Sequence, residues 1–182
     1  MCGLQERGPV ASLTRIRVLA FAIAAVVVVA DLVTTSLAIR HIHQVRHVWG
    51  PFGFALTFNS GFAFSLFSGQ ATAISVLLCV GVVILAVVVS RVRTVPLAVG
   101  AGLVLGGATG NLAERLFGGR GGQVPDFITL DHWPTFNLAD ACVTVGIIIV
   151  IACLLFGRPH APAPGGGQQS TLARRASEAD TP

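Results

Sequence analysis

The chain has no lysine and no tyrosine, and charge of either sign is scarce, with charged residues at 11% of its 182 positions. Combined with a hydrophobic content of 53%, that excludes a soluble domain of this size. All twelve basic residues are arginine, a compositional bias that carries little mechanism. They fall at the ends of apolar runs and form no stripe interleaved with aromatics, so the net charge of +4 gives no nucleic-acid partner. The four cysteines, Cys2, Cys79, Cys142 and Cys153, contain no CxxC pair. That leaves neither a disulfide framework nor a zinc site, and they read as buried small hydrophobes. No G-x-S-x-G or H-E-x-x-H occurs, and no internal repeat is evident.

What the chain does have is long apolar runs. Val18–Ile39, Ala71–Ser90, Val95–Ala113 and Phe136–Phe156 are each long enough to span a bilayer core of about 30 Å, which takes about 20 residues. The first exceeds a signal-peptide core and lacks a small-residue cleavage site, so it reads as a retained helix. Arg7, Arg15, Arg17, Arg91, Arg93, Arg158, Arg174 and Arg175 fall on one side of these spans, and Arg40, Arg46, Arg115 and Arg120 on the other. The positive-inside rule then puts both termini in the cytoplasm and the connections around 40–70 and 115–135 outside. Residues 1–14 read as a cytoplasmic N-terminal segment, 15–157 as a four-helix membrane domain, and 158–182 as a disordered cytoplasmic tail too poor in apolar residues to fold.

The first outer connection, FGFALTFNSGFAFSLFSG, is punctuated by Gly53, Gly61 and Gly69. It predicts short strands and turns. Phe52, Phe54, Phe58, Phe62, Phe64 and Phe67 suit it to lie on a lipid surface, with a plain structural loop as the alternative. Gly102, Gly106 and Gly110, at four-residue spacing in the third run, predict close approach of another helix.

Few polar residues remain. Asp126 and Asp140 are fourteen positions apart near one membrane face. Two such carboxylates can share a proton and so present an acid and a base together. Asp31 lies nine residues before Arg40, roughly 13 Å below that helix end. There a carboxylate must be neutral, paired or facing a wet cavity, whether it supports a functional site or makes a structural hydrogen bond. Asn137 shares a helix face with Asp140 and either orients what Asp140 contacts or caps the helix. Asn111 and Arg115 close the third run together. Arg115 either pairs with a carboxylate or snorkels to headgroups. Asn59 allows an Asx turn before Gly61. His41 and His43 would lie on one side of a strand, but lack partners at ligand spacing and read as an exposed interfacial cluster.

Taken in order, Asp31 with Thr34, NSGFAFS at 59–65, GGATGNLAER at 106–115, VPDFI at 124–128 and FNLADACVTVG at 136–146 resemble lipoprotein signal peptidase, or signal peptidase II, over roughly residues 18–157. The resemblance implies an all-α membrane protein of four transmembrane helices with a small extracytoplasmic β-rich cradle. It implies an aspartic endopeptidase of the bacterial plasma membrane that removes signal peptides from prolipoproteins before a diacylglyceryl-modified cysteine. Asp126 and Asp140 would be the catalytic dyad, and Asp31, Asn59, Asn111, Arg115 and Asn137 the substrate-binding or supporting positions. No metal or organic cofactor is implied. The expected partners are lipid-modified precursors and membrane lipid, with the chain a monomer. Thr35 stands where the family commonly has lysine and Glu114 where it commonly has aspartate, so the partner of Asp31 is open. A small proton- or cation-coupled transporter is the alternative reading of Asp31 and Asp140, although the chain lacks the inverted repeat common in transporters.

Overall fold

A computed structural model describes residues 9–60 and 71–156. Gly61, Phe62, Phe64, Phe67 and Gly69 of the first outer connection, Cys2, and the tail from Arg158 lie outside the described residues.

The first helix, α1, runs Pro9–His41, so the segment expected to end at residue 14 is already helical from Pro9. A proline costs nothing where the first helical N–H has no partner, and Arg15 and Arg17 continue the helix as good helix formers. Helix α2 is Ala71–Val89, α3 is Val95–Phe117 and α4 is Leu138–Phe156. The α2–α3 break is short. Thr94 is extended, and proline enters in the first turn of α3, where its missing N–H is harmless.

Among the described residues, three helices are long and apolar enough to cross a membrane: α1 over Ser12–His41, α3 and α4. The described apolar stretch of α2, Ser75–Val89, is shorter, so three of the four expected spans meet this length. Their outward faces are large and apolar, as at Val26, Val29, Leu154 and Leu155, whereas the residues between helices are small, as at Ala20, Ala24, Ala98 and Ala101. That distribution is the one lipid imposes, because close packing of small residues, not hydrophobic burial, holds helices together there.

Helix α3 is central and packs against the other three. The expected glycine stripe meets α1: a Cβ on Gly102 would lie 2.6 Å from the Ala20 carbonyl oxygen, and one on Gly106 would lie 2.7 Å from Val27 Cβ. A second, unanticipated pair, Gly100 of α3 and Gly146 of α4, brings those two helices together: a Cβ on Gly146 would lie 2.7 Å from the Gly100 carbonyl oxygen. The three described cysteines are not the buried hydrophobes expected: Cys79 is exposed, and Cys142 and Cys153 are half-buried.

Strands β1 (Arg46–Trp49), β2 (Phe52–Asn59), β3 (Val124–Leu130) and β4 (Trp133–Phe136) form one antiparallel sheet in that order. The first two are the strands expected in the first outer connection. They turn at Gly50, whose φ of 52° glycine adopts without strain. Phe52, Phe54 and Phe58 are exposed. His41 ends α1 and His43 precedes β1, so these two imidazoles do not share a strand. The register pairs Thr57 with Asp126 and Asn59 with Val124, which sets Asn59 beside Asp126.

Candidate active site

Only Asn137 separates β4 from α4, and the site is built around it. Its side-chain oxygen accepts the N–H of Asp140 at 2.9 Å, capping α4. Its Nδ2 donates to Asp126 Oδ1 and to Asn111 Oδ1, both at 3.0 Å. Cap and orienting residue, the two alternatives for Asn137, are one side chain seen from its two ends. Asn111 then donates to Asp140 Oδ1 at 2.8 Å. The two carboxylates are thus joined through two amides. Asn59 closes the other side, donating to Asp126 Oδ2 at 3.1 Å, whereas the Asx turn expected before Gly61 falls on residues outside the described ones.

Asp126 is 2% exposed. Burial raises its pKa to about 7, and the charge of Asp140 adds to the rise. The hydrogen bonds from Asn59 and Asn137 and the charge of Arg115 pull the other way. A carboxyl group titrating near neutrality is suited to hold or release a proton at working pH.

Arg115 is buried, so it does not snorkel to headgroups. Its Nη1 donates to the Gly122 carbonyl oxygen at 2.9 Å, which fixes the loop leading into β3. Its charge still acts on Asp126. Glu114, next in sequence, takes Arg120 as its ion-pair partner. The same loop is therefore tied down from two adjacent residues of α3. Sequence spacing did not reveal the Glu114–Arg120 pair.

Asn59, Asn111, Arg115, Asp126, Asn137 and Asp140 line one cavity of about 180 Å³. Leu78, Ala108, Val124 and Val143 complete its wall. These four carry no signal in a sequence where such residues are everywhere. Asp31 is absent from the lining. It lies behind the site, fully buried, with Oδ1 accepting the N–H of Ala139 at 2.9 Å. Two apolar grooves adjoin the cavity. One, between α2 and α3, shares Leu78 and Ala108 and holds about 460 Å³. The other, between the sheet and α4, shares Asp140 and Val143 and holds about 400 Å³.

The family model for signal peptidase (SPase) II matches residues 23–156. The chain belongs to the signal peptidase II family. Similar family members include the lipoprotein signal peptidase of Rhodococcus jostii (strain RHA1), 42% identical over 148 residues, which are 78% of this chain and 74% of that one. That of Mycobacterium avium (strain 104) is 37% identical over 160 residues, 84% of this chain and 85% of that one. A bacterial membrane enzyme solved by the in meso method superposes with a TM-score of 0.70 at 25% identity, covering 79% of this chain and 92% of that one. This signal peptidase II chain is therefore a multi-pass membrane protease of lipoprotein processing, and the transporter alternative is set aside.

Proposed function

We propose that this protein is an aspartic endopeptidase that uses Asp126 and Asp140 as its dyad and cuts prolipoproteins before a diacylglyceryl-modified cysteine. The observation that carries the reading is the pair of amides, Asn137 and Asn111, that link the two carboxylates across one cavity. In the working state the pair shares one proton. The ionised carboxylate takes a proton from water, and that water attacks the scissile carbonyl. The protonated partner donates to the carbonyl oxygen and afterwards assists the leaving amine. The carboxyls titrate as a pair, so the two roles belong to the dyad as a unit.

Asn59 and Asn137 hold Asp126, Asn111 holds Asp140, and the Arg115 charge tempers the negative potential between them. Asp31 supports the site from behind. No metal or organic cofactor takes part. The apolar grooves beside the cavity fit the hydrophobic segment of a signal peptide and the acyl chains on its cysteine. Helix α2 is the fourth span. The sheet and the site face outward, both termini are cytoplasmic, and residues 15–157 form the membrane domain of a monomer. The eight-to-four division of arginines supports that orientation.

The test is cleavage by the purified full chain of a diacylglyceryl-modified precursor peptide and of its unlipidated control. Cleavage of the lipidated peptide alone is expected. Equal cleavage of both overturns the lipid requirement, and cleavage of neither overturns the activity.

A further inference from the structure

We infer that the segment joining α1 to the sheet is a docking rim for anionic phospholipid headgroups. Arg40 and His41 end α1, and His43, Arg46 and His47 follow within six residues, all of them exposed. Large apolar side chains alternate with them: Val45 is 66% exposed, Val48 63% and Trp49 79%. A membrane-crossing helix leads directly into this stretch, so the rim emerges where the hydrocarbon core gives way to headgroups. Tryptophan concentrates at that depth, and arginine reaches from it to phosphate while its stem stays in the apolar layer.

The rim itself, residues 40–49, carries no acid. No aspartate or glutamate occurs between Asp31 and Glu114. Of the acids on the sheet, Asp126 is buried in the site, and Asp131 lies beyond the Trp49 end of β1, where its N–H donates to the Pro51 carbonyl oxygen. Arg115 and Arg120, the other arginines on this side, are engaged with Gly122 and Glu114. Among the described residues, no ion pair takes up Arg40 or Arg46. The negative C-terminal end of α1 accounts for a cation at Arg40. It does not account for Arg46 and His47, which stand on β1. Positive charge beside an exposed tryptophan at the end of a bilayer-spanning helix fits a phosphate-bearing lipid surface with net negative charge.

Trp49 and Trp133 are the chain's two tryptophans, so the rim carries its own reporter. The full chain with Trp133→Phe is reconstituted into phosphatidylcholine bilayers containing a minor share of brominated phosphatidylglycerol or of brominated phosphatidylcholine, and quenching of Trp49 fluorescence is measured. The expected preference for the anionic lipid is about fivefold per arginine, falling with added salt. Arg40→Gln with Arg46→Gln should abolish the preference while leaving quenching by brominated phosphatidylcholine. The corresponding pair of lysine substitutions should keep it. Equal quenching by the two lipids overturns the inference, as does an anionic preference that survives both glutamines or is lost with both lysines. Quenching by neither lipid places Trp49 off the bilayer and overturns it too. No cleavage enters the measurement, so its failure leaves the peptidase reading standing.

Discussion

Asp31 accepts the backbone N–H of Ala139 at 2.9 Å, and Ala139 immediately precedes Asp140. The bond joins the middle of α1 to the first turn of α4. It satisfies one of the N–H groups that every helix start leaves over, and places a carboxylate where the helix dipole favours one. Gly110 lies against the same side chain, so close that a Cβ there would be 2.8 Å from Asp31 Oδ2. The next residue, Asn111, holds Asp140. Asp31 therefore touches the immediate neighbours of both groups in the Asn111–Asp140 bond.

Asp31→Ala should lower the cleavage rate by up to about 10²-fold, the usual consequence of misplacing a reacting group by about 1 Å. Asp31→Asn, which keeps an acceptor for Ala139, should retain more activity. Thr35 lies one turn along α1, buried, with its hydroxyl unpartnered among the described residues. Thr35→Ala should therefore cost less activity than Asp31→Ala, and Thr35→Val should raise thermal stability, by about 1 kcal/mol, because it removes a desolvated hydroxyl of the same shape. Rates normalised to protein in the membrane, with melting curves in detergent, decide both. A silent Asp31→Ala would reduce α1 to packing.

Asp126→Asn and Asp140→Asn should each cut turnover by at least about 10²-fold while the protein stays folded in membranes, since general acid–base catalysis contributes about that much or more. Near-normal turnover by either variant removes the dyad assignment.

The pH dependence follows from Asp126. Its folded pKa of about 7 lies above the ordinary value of 3.8, so the folded state binds the proton more tightly than the unfolded one. Its contribution to stability is greatest below about pH 4 and is lost as pH rises through 7, by at most about 4 kcal/mol. Asp126→Asn should accordingly melt higher than the parent at pH 8, and less so at pH 5. Cleavage should fall above about pH 7 as the shared proton leaves. Asn59→Ala removes a donor to the ionised carboxylate, so it should move that alkaline limb upward by roughly one pH unit. A limb that stays put or moves down contradicts the role given to Asn59.

A reporter fused after Pro182 should behave as cytoplasmic and one inserted near Gly122 as exported. The reverse pattern would put the site on the wrong face for a substrate that has already been exported.

Much of this was legible in the residues. The apolar runs located all four helices, and Gly102, Gly106 and Gly110 announced a close α1–α3 contact because missing side chains leave a visible period. Six of the seven chosen polar residues meet in the cavity, and three of them, Asn111, Arg115 and Asp140, stood out because polarity inside a span is costly without a purpose. The second hairpin was not legible from residue pattern. The first four residues of β3 are all buried, which erases the alternation that marks a strand, and β4 contains Pro134. The place of Asp31 behind the cavity was hidden as well, because its partner is a backbone N–H more than 100 positions away, which no side-chain spacing encodes. The second glycine contact, at Gly100 and Gly146, lacks a short repeat and surfaces only when α3 and α4 are side by side.

One residue between β4 and α4 leaves no slack for length variation. The amide of Asn137 spends both donors and its acceptor within the site, and its backbone carbonyl accepts the Ala141 N–H. An insertion at this junction would rotate the first turn of α4 and carry Asp140 away from Asn111. A deletion would remove the link itself. Tolerated insertions and deletions should therefore gather elsewhere along the chain, and the β4–α4 junction behaves as a fixed gauge for the separation of the two carboxylates of the proposed dyad.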